Sequence, residues 1–236
     1  MNTNRSWLHI PRQDPAHTLA AAGLPDAEDC GWVEQMTPFL LALTQPGDRV
    51  LDPFCGWAST LLAAGLCGRR GLGCEIDGTR AAAGRHRLAV HGLQEKALIV
   101  QGDSRHLPFA TDSMAACLTS IPYFGPRQQG GAWADKESSG QCYAQSDYAA
   151  YQGILNDVLA EVARALAPGA SIVAMAENVR IDGRFVPLAW DCARLLANHF
   201  ELCDERIITY ERPTDALGDG LRSNRAHEYA LIGRKR

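Results

Sequence analysis

The chain has 236 residues, of which 46% are hydrophobic and 21% charged, so it can bury a sizeable core and has the composition of a globular protein. Its formal net charge of -4 and pI near 6.0 exclude a general attraction to polyanions, so any nucleic acid would have to bind a local patch. No apolar stretch approaches about 18 residues, and "MNTNRSWLHIPRQD" carries no apolar segment, so we expect neither a membrane span nor a signal peptide.

The cysteines and histidines follow no disulfide or metal-ligand pattern. Eight cysteines occur without a C-x-x-C pair, mostly in apolar runs, where a free thiol behaves as a small hydrophobic side chain. This usage is typical of a reducing compartment and predicts a cytoplasmic protein. The seven histidines are scattered, so we expect no metal site.

Residues 1–30 are rich in Pro, Asp and His and are interpreted as an N-terminal extension to a domain that covers residues 31–236. The domain begins with an apolar stripe typical of a helix in "DCGWVEQMTPFLLAL", which "PG" ends. Strands then alternate with helices. The predicted strands are "DRVLDPF", "GRRGLGCEID", "KALIVQGD", "SMAACLTSIPYF", "ASIVAMAEN", "ELCDERIITYE" and "HEYALIGRKR". The predicted helices between them are "ASTLLAAGLC", "TRAAAGRHRLAVHGL", "DYAAYQGILNDVLAEVARALA" and "PLAWDCARLLANHF".

This alternation predicts an α/β fold of the Rossmann-like, doubly wound type, with a mostly parallel seven-stranded sheet. The last two strands have no helix between them and are expected to form an antiparallel hairpin at the edge. Two long polar loops, 124–147 and 211–226, interrupt the pattern, and loops of this length are usually functional or disordered. The arginines at 69, 70, 80, 85 and 87 are interpreted as solvated surface.

Each of the first four predicted strands ends in a polar or glycine-bearing group, namely "DPFCG", "CEID", "GDSRHLPF" and "TSIPYFG". In an open parallel sheet, ligands bind beyond the carboxyl ends of the strands. A glycine turn followed by an acid at the next strand tip suits a nucleoside, because it offers close backbone approach and a carboxylate for the ribose hydroxyls. The sequence therefore predicts a nucleoside-containing ligand at these strand ends.

The order "VLDPFCG…GCEID…GDSRHLPF…TSIPYF" resembles the S-adenosylmethionine-dependent methyltransferases that modify exocyclic amino groups of nucleobases. These are the cytosine-N4 and adenine-N6 DNA methyltransferases and the related tRNA guanine methylases. The resemblance runs from about residue 36 to the C-terminus. It implies S-adenosyl-L-methionine as cofactor, N-methyl transfer as reaction, and DNA or RNA as substrate, with cytosine as the most similar target base.

Carried over by position, the resemblance implies a set of cofactor-binding residues: Asp52, Phe54, Gly56, Glu75, Asp103 and Ser104. The first three would line the methionine end of the cofactor. Glu75 would hold the ribose hydroxyls, and Asp103 with Ser104 would face the adenine amino group.

The resemblance also implies a catalytic floor formed by Ser120, Ile121, Pro122 and Tyr123. The Ser120 side chain and the carbonyl that follows it would accept hydrogen bonds from the target amino group, so that its nitrogen lone pair can attack the methyl group. Phe124 is expected to contact the cofactor or the substrate. The long loop beyond it adds Trp133 and Tyr143 as candidate substrate contacts.

Two departures from the family pattern leave other functions open. The turn reads Gly56-Trp57-Ala58, where a second glycine is usual, and the floor has Ile121 where the family motif has proline. No separate domain with a basic face is evident. One alternative is therefore an enzyme that uses S-adenosylmethionine on a small-molecule amine, and another is a non-catalytic subunit that keeps the fold.

Overall fold

A computed structural model describes residues 5–10, 21–24, 32–124, 147–181, 183–209 and 227–236. The strands are β1 (Trp7–His9), β2 (Arg49–Asp52), β3 (Arg70–Glu75), β4 (Ala97–Gln101), β5 (Met114–Ser120), β6 (Leu166–Ala176), β7 (Val179–Ile181), β8 (Arg184–Val186), β9 (Glu201–Thr209) and β10 (His227–Arg234). The helices are α1 (Val33–Leu43), α2 (Ser59–Leu66), α3 (Gly78–Val90), α4 (Tyr148–Ala165) and α5 (Leu188–His199), with a 3-10 turn at Ser104–His106.

Eight strands form one sheet in the order β1-β9-β10-β6-β5-β2-β3-β4. Five consecutive strands of this order run parallel to one another, namely β6, β5, β2, β3 and β4, and β10 is antiparallel to both of its neighbours. The α/β, doubly wound architecture and the seven predicted strands are therefore confirmed. The eighth strand, β1, was not predicted: Trp7 pairs with Ile207 in parallel, so β1 covers the outer side of the C-terminal hairpin.

The helices cover both faces of the sheet because each has one apolar side. One buried cluster joins α1, α2 and α3 to the sheet and includes Met36, Leu61 and Leu88. The other joins α4 and α5 to the opposite face and includes Leu155 and Leu196. Two such layers around one sheet are the expected way for it to bury both faces. Among the described residues, no helix is both long and apolar enough to cross a membrane.

Two arginines that the sequence placed on the surface are buried instead. Arg69 is 5% exposed and donates to the carbonyls of Thr44 and Cys67, so its guanidinium satisfies the C-terminal ends of α1 and α2. Arg87 is 1% exposed and lies on the inner side of α3. The interpretation was wrong for these two because a guanidinium can replace water as the donor to carbonyls at helix ends and turns.

A small hairpin follows β6. Strands β7 and β8 pair with each other and form a separate two-stranded sheet, which the sequence did not predict. Because β6 is the neighbour of β5, this hairpin leaves the sheet next to the end of β5.

Candidate functional site

The order of the strands reverses at β2, which has β3 on one side and β5 on the other. The carboxyl ends of these parallel strands meet at one edge of the sheet, and a crevice at such a reversal is the usual ligand site of this architecture. Asp52, Glu75 and Ser120 are the last residues of β2, β3 and β5. Three of the four strand tips that the sequence singled out therefore lie side by side.

Asp52 is buried at the end of β2 and bonds to the neighbouring strand. Its Oδ1 accepts from the Thr119 hydroxyl at 2.6 Å and from the Phe54 N–H at 3.0 Å. Burial is the main influence on this carboxyl and raises its pKa to about 6, although the hydrogen bonds from Thr119, Thr60 and Phe54 favour the ionised form. Thr119 is fully buried, and sequence reasoning assigned it no role.

The turn after β2 has two residues with positive φ, and only the first of them is a glycine. Gly56 has φ of 46° and Ala58, the N-cap of α2, has φ of 68°, in the left-handed region that favours glycine. The buried Arg87 donates to the Trp57 carbonyl at 2.8 Å and to the Ser59 hydroxyl at 2.9 Å. These bonds hold both sides of Ala58, and we infer that they stabilise a conformation that costs an alanine about 1 to 2 kcal/mol.

Glu75 joins the glycine turn to the start of α3. Its two carboxylate oxygens accept from the Gly56 N–H at 2.9 Å and from the Asp77 N–H at 2.8 Å. Burial raises the pKa of Glu75 above its ordinary value. Each oxygen of a carboxylate has two acceptor positions, so Glu75 can hold the turn and still accept from a ligand hydroxyl.

Asp103 and Ser104 follow β4 and form a short turn. The Asp103 carboxylate accepts from the Arg105 N–H and pairs with the Arg105 guanidinium at 2.6 Å, which lowers the pKa of Asp103. The Ser104 hydroxyl donates to the Pro53 carbonyl and so joins this turn to the end of β2. Their contact with an adenine stays a prediction.

The floor at residues 120–123 is fixed from two sides. The Ile121 N–H donates to the Met175 carbonyl at 2.8 Å, which extends the β5–β6 pairing by one residue. The Tyr151 hydroxyl on α4 donates to the Pro122 carbonyl at 2.7 Å. Proline has no N–H, so a proline at position 121 could not make the first of these bonds, and this gives the departure at Ile121 a physical reason.

The Ile121 side chain also belongs below the floor. It is 3% exposed and lies in the same buried cluster as Tyr151 and Leu155 of α4. The peptide between Ile121 and Pro122, which carries the Ile121 carbonyl, is thus held between a bonded N–H and a bonded carbonyl.

An aromatic cluster lies beside the floor. The Phe124 ring contacts the rings of Tyr148 and Tyr151, with centroids 4.8 and 5.4 Å away, and the two tyrosines stack on each other at 5.8 Å. The Tyr148 hydroxyl donates to Asp191 of α5 at 2.9 Å. Sequence reasoning missed the tyrosines, although their spacing of three places them on one face of a helix.

The other candidate residues from the sequence are Tyr123, Trp133 and Tyr143. Trp133 and Tyr143 lie outside the described residues. Tyr123 is half-buried. Within the part of the chain that the structure describes, no three His, Cys, Asp or Glu side chains come together as a group that could hold a metal ion.

Comparisons with known proteins match the segment that carries part of this site. Residues 33–83, which include Asp52, Gly56 and Glu75, match a family described as DNA methylase. The tRNA (guanine(10)-N2)-dimethyltransferase of Methanothermobacter thermautotrophicus is 35% identical over 83 residues, which cover 35% of this chain and 24% of that protein. The protein of the same name from Methanocaldococcus jannaschii is 41% identical over 89 residues, covering 35% and 25%. The chain thus matches about a quarter of the length of these relatives.

Solved structures with low sequence identity share the fold. TrmN from Thermus thermophilus has a TM-score of 0.61 and 18% identity, with 92% of this chain and 52% of that one covered. A SAM-dependent methyltransferase from Methanosarcina mazei has a TM-score of 0.56 and 17% identity, with 84% and 97% covered. The chain therefore has the fold of the S-adenosylmethionine-dependent methyltransferases, and its residues 33–83 are similar to the DNA methylase family.

Proposed function

We propose that the chain is an S-adenosylmethionine-dependent N-methyltransferase that acts on an exocyclic amino group of a nucleobase in DNA or RNA. The observation that carries this proposal is the fixed floor: the Ile121 N–H bonds to β6 and the Pro122 carbonyl bonds to α4. The Ile121 carbonyl lies between these two bonds and is therefore held as a preorganised acceptor for an amino group.

The residues around the reversal of strand order fit the cofactor. Asp52 and Glu75 place carboxylates on either side of the Gly56 turn, where a ligand with an ammonium group and ribose hydroxyls finds acceptors. Gly56 carries no side chain to keep a ligand from the backbone. When bound there, S-adenosylmethionine would supply an electrophilic methyl group on a sulfonium, and breaking the sulfur–methyl bond would leave the neutral thioether S-adenosylhomocysteine.

The chain's own part in the reaction is positioning. The Ser120 hydroxyl and the Ile121 carbonyl accept hydrogen bonds from the target amino group, which holds its lone pair in line with the methyl group. These acceptors also stabilise the positive charge that develops on the nitrogen during transfer. The methylated nitrogen then loses a proton to solvent, so no strong base is required.

The target base is a further part of the proposal. Serine at the first floor position is the residue associated with cytosine, which makes cytosine N4 one expected target. The names of the two curated relatives point instead to guanine N2 in tRNA. A small-molecule amine is the second candidate, and the net charge of -4 favours it, because nucleic-acid enzymes usually carry a basic face.

A paired substitution tests the catalytic role of the floor. Ser120→Ala removes the side-chain acceptor at the carboxyl end of β5, and Ser113→Ala removes a hydroxyl just before the same strand, where it bonds to the Ala110 carbonyl. We expect Ser120→Ala to lower kcat by roughly 100-fold, the order found when one preorganised transition-state contact is lost, with little change in cofactor affinity. Ser113→Ala should keep wild-type turnover, and equal turnover of Ser120→Ala and wild type would contradict the role of Ser120.

A further inference from the structure

The β7–β8 hairpin borders a cavity next to the floor. This cavity has a volume of about 450 Å³ and is lined by Phe124, Ile181, Arg184 and Val186. Phe124 follows the floor directly in the chain, and its ring packs on the tyrosines of α4. The hairpin therefore lines an open space beside Phe124, the residue that follows the floor.

The two faces of the hairpin differ in character. Val179 pairs with Val186 and Ile181 with Arg184, and these residues share the inner face, where the two valines pack against the buried cluster that joins α4 and α5 to the sheet. Arg180 pairs with Phe185, so these two lie on the outer face. The hairpin thus has one arginine on each face, Arg184 beside the cavity and Arg180 outside it.

The outer face carries two exposed aromatic rings in contact. Phe185 is 44% exposed and Trp190, in the first turn of α5, is 50% exposed, with ring centroids 5.7 Å apart. The Arg180 guanidinium lies 6.0 Å from the centre of the Phe185 ring. Single exposed apolar side chains are common, whereas an exposed aromatic pair with a cation is the surface on which nucleobases stack.

The charges around this pair favour a polyanion. The negative charge of Asp191 on α5 is balanced by Arg194 at 2.5 Å, and the same carboxylate accepts from the Tyr148 hydroxyl. Arg180 and Arg184 are both exposed, and each can direct its guanidinium to a phosphate. Cations on both faces of the hairpin suit a chain of phosphates that runs over its edge towards the cavity.

We propose that this outer face, formed by Arg180, Phe185 and Trp190 and called here the stacking face, binds the single strand that flanks the target nucleotide. This inference rests on the proposed function, since the flanking strand is useful only if a nucleobase occupies the floor. The Phe185 and Trp190 rings are tilted by 58° to each other, so one flanking base stacks on one ring and the next base on the other. Arg180 and Arg184 contact the backbone phosphates. The sequence-tolerant contact lets a chain of net negative charge hold a nucleic acid at one local surface.

Fluorescence anisotropy with a fluorescein-labelled single strand of about 12 nucleotides tests the stacking face. RNA and DNA of the same sequence form separate arms and distinguish the two sources of the strand, and an RNA duplex forms a third. We expect Phe185→Ala and Trp190→Ala each to weaken binding of the preferred single strand by roughly 5- to 150-fold. The duplex should bind more weakly than the strand in the wild type.

Trp7→Ala is the matched control, because Trp7 is 48% exposed and has the Arg5 guanidinium 5.4 Å from its ring centre, yet lies on the edge strand β1. It should bind as the wild type does. Arg180→Gln combined with Arg184→Gln should reduce the slope of log affinity against log salt by about 1 to 2. Equal binding by the wild type and the aromatic variants, or an equal loss in Trp7→Ala, would overturn the proposal. Self-association that is lost in Trp190→Ala, without strand binding, would overturn it too and assign the face to a protein partner.

The proposed function is tested separately by calorimetric titration with S-adenosylmethionine. If the protein binds the cofactor, and Phe185→Ala and Trp190→Ala bind the strand as the wild type does, the result contradicts the stacking face alone. Strand binding at the stacking face without any cofactor binding would contradict the proposed function. The chain would then be a nucleic-acid-binding protein that does not transfer methyl groups.

Discussion

Replacing Asp52 with asparagine should change how the stability of the protein depends on pH. In the folded state burial raises the pKa of Asp52 to about 6, whereas in an unfolded chain a free aspartate has a pKa of about 3.9. The folded protein therefore binds this proton more tightly than the unfolded chain does. Its contribution to stability is fully present below pH of about 4 and is lost as the pH rises through about 6.

The size of the effect follows from the two pKa values. A difference of about 2 units corresponds to roughly 3 kcal/mol, lost between pH of about 4 and 7. In Asp52→Asn the amide oxygen can still accept from Thr119 and Phe54, so these two contacts remain while the charge is gone. The variant should therefore gain about 3 kcal/mol relative to wild type as the pH rises over this range.

Urea unfolding at a series of pH values from about 4 to 8 measures this difference. Asp157→Asn, at an exposed position of α4, is the matched control and should follow wild type at every pH. Glu75 lies near Asp52 and contributes to raising its pKa, so part of the change belongs to the pair. A difference in unfolding free energy between Asp52→Asn and wild type that stays constant with pH would contradict a raised pKa of Asp52 in the folded protein.

Three other substitutions test neighbouring parts of the site. Glu75→Ala should weaken S-adenosylmethionine binding more than it lowers turnover at saturating cofactor, because it removes the ribose acceptor and releases the Gly56 N–H. Calorimetric titration measures the affinity, and an unchanged affinity would contradict this role. Tyr151→Phe removes the donor to the Pro122 carbonyl and should lower the free energy of unfolding by about 1 kcal/mol, measured by urea unfolding. Its kcat should fall by more than the factor to which this free energy corresponds, measured by turnover. Gly73→Ala should destabilise by about 1 to 3 kcal/mol, because its new Cβ would lie 2.7 Å from the Cys55 sulfur; Gly102→Ala, where the nearest contact is 3.7 Å, should not.

The strand tips could be predicted from the sequence because alternation fixes the direction of every parallel strand. Asp52, Glu75 and Ser120 each end an apolar run, and parallel strands bring such ends to one edge. The departure at Ile121 was visible as well. Its meaning required the structure, since the N–H that a proline would lack bonds to Met175 on another strand.

Other features of the fold and of the site depend on contacts that form only when the chain is folded. Strand β1 has three residues and pairs with a strand about 200 positions away, so neither its length nor its composition identifies it. Arg87 reads as a surface arginine on a helix and becomes a buried donor only because the Trp57 carbonyl faces it. Asp103 has an arginine two positions later, yet only the folded turn brings the two side chains together.

The proposed function requires that the floor at Ser120 hold an exocyclic amine for methyl transfer. Its most direct test is mass spectrometry of nucleosides after wild type and Ser120→Ala are incubated with methyl-labelled S-adenosylmethionine and either tRNA or DNA. We expect a labelled methyl group on the exocyclic nitrogen of a single base with the wild type, and roughly 100-fold slower labelling with Ser120→Ala. Label that appears on a carbon or oxygen, or equal labelling by the two proteins, would contradict it.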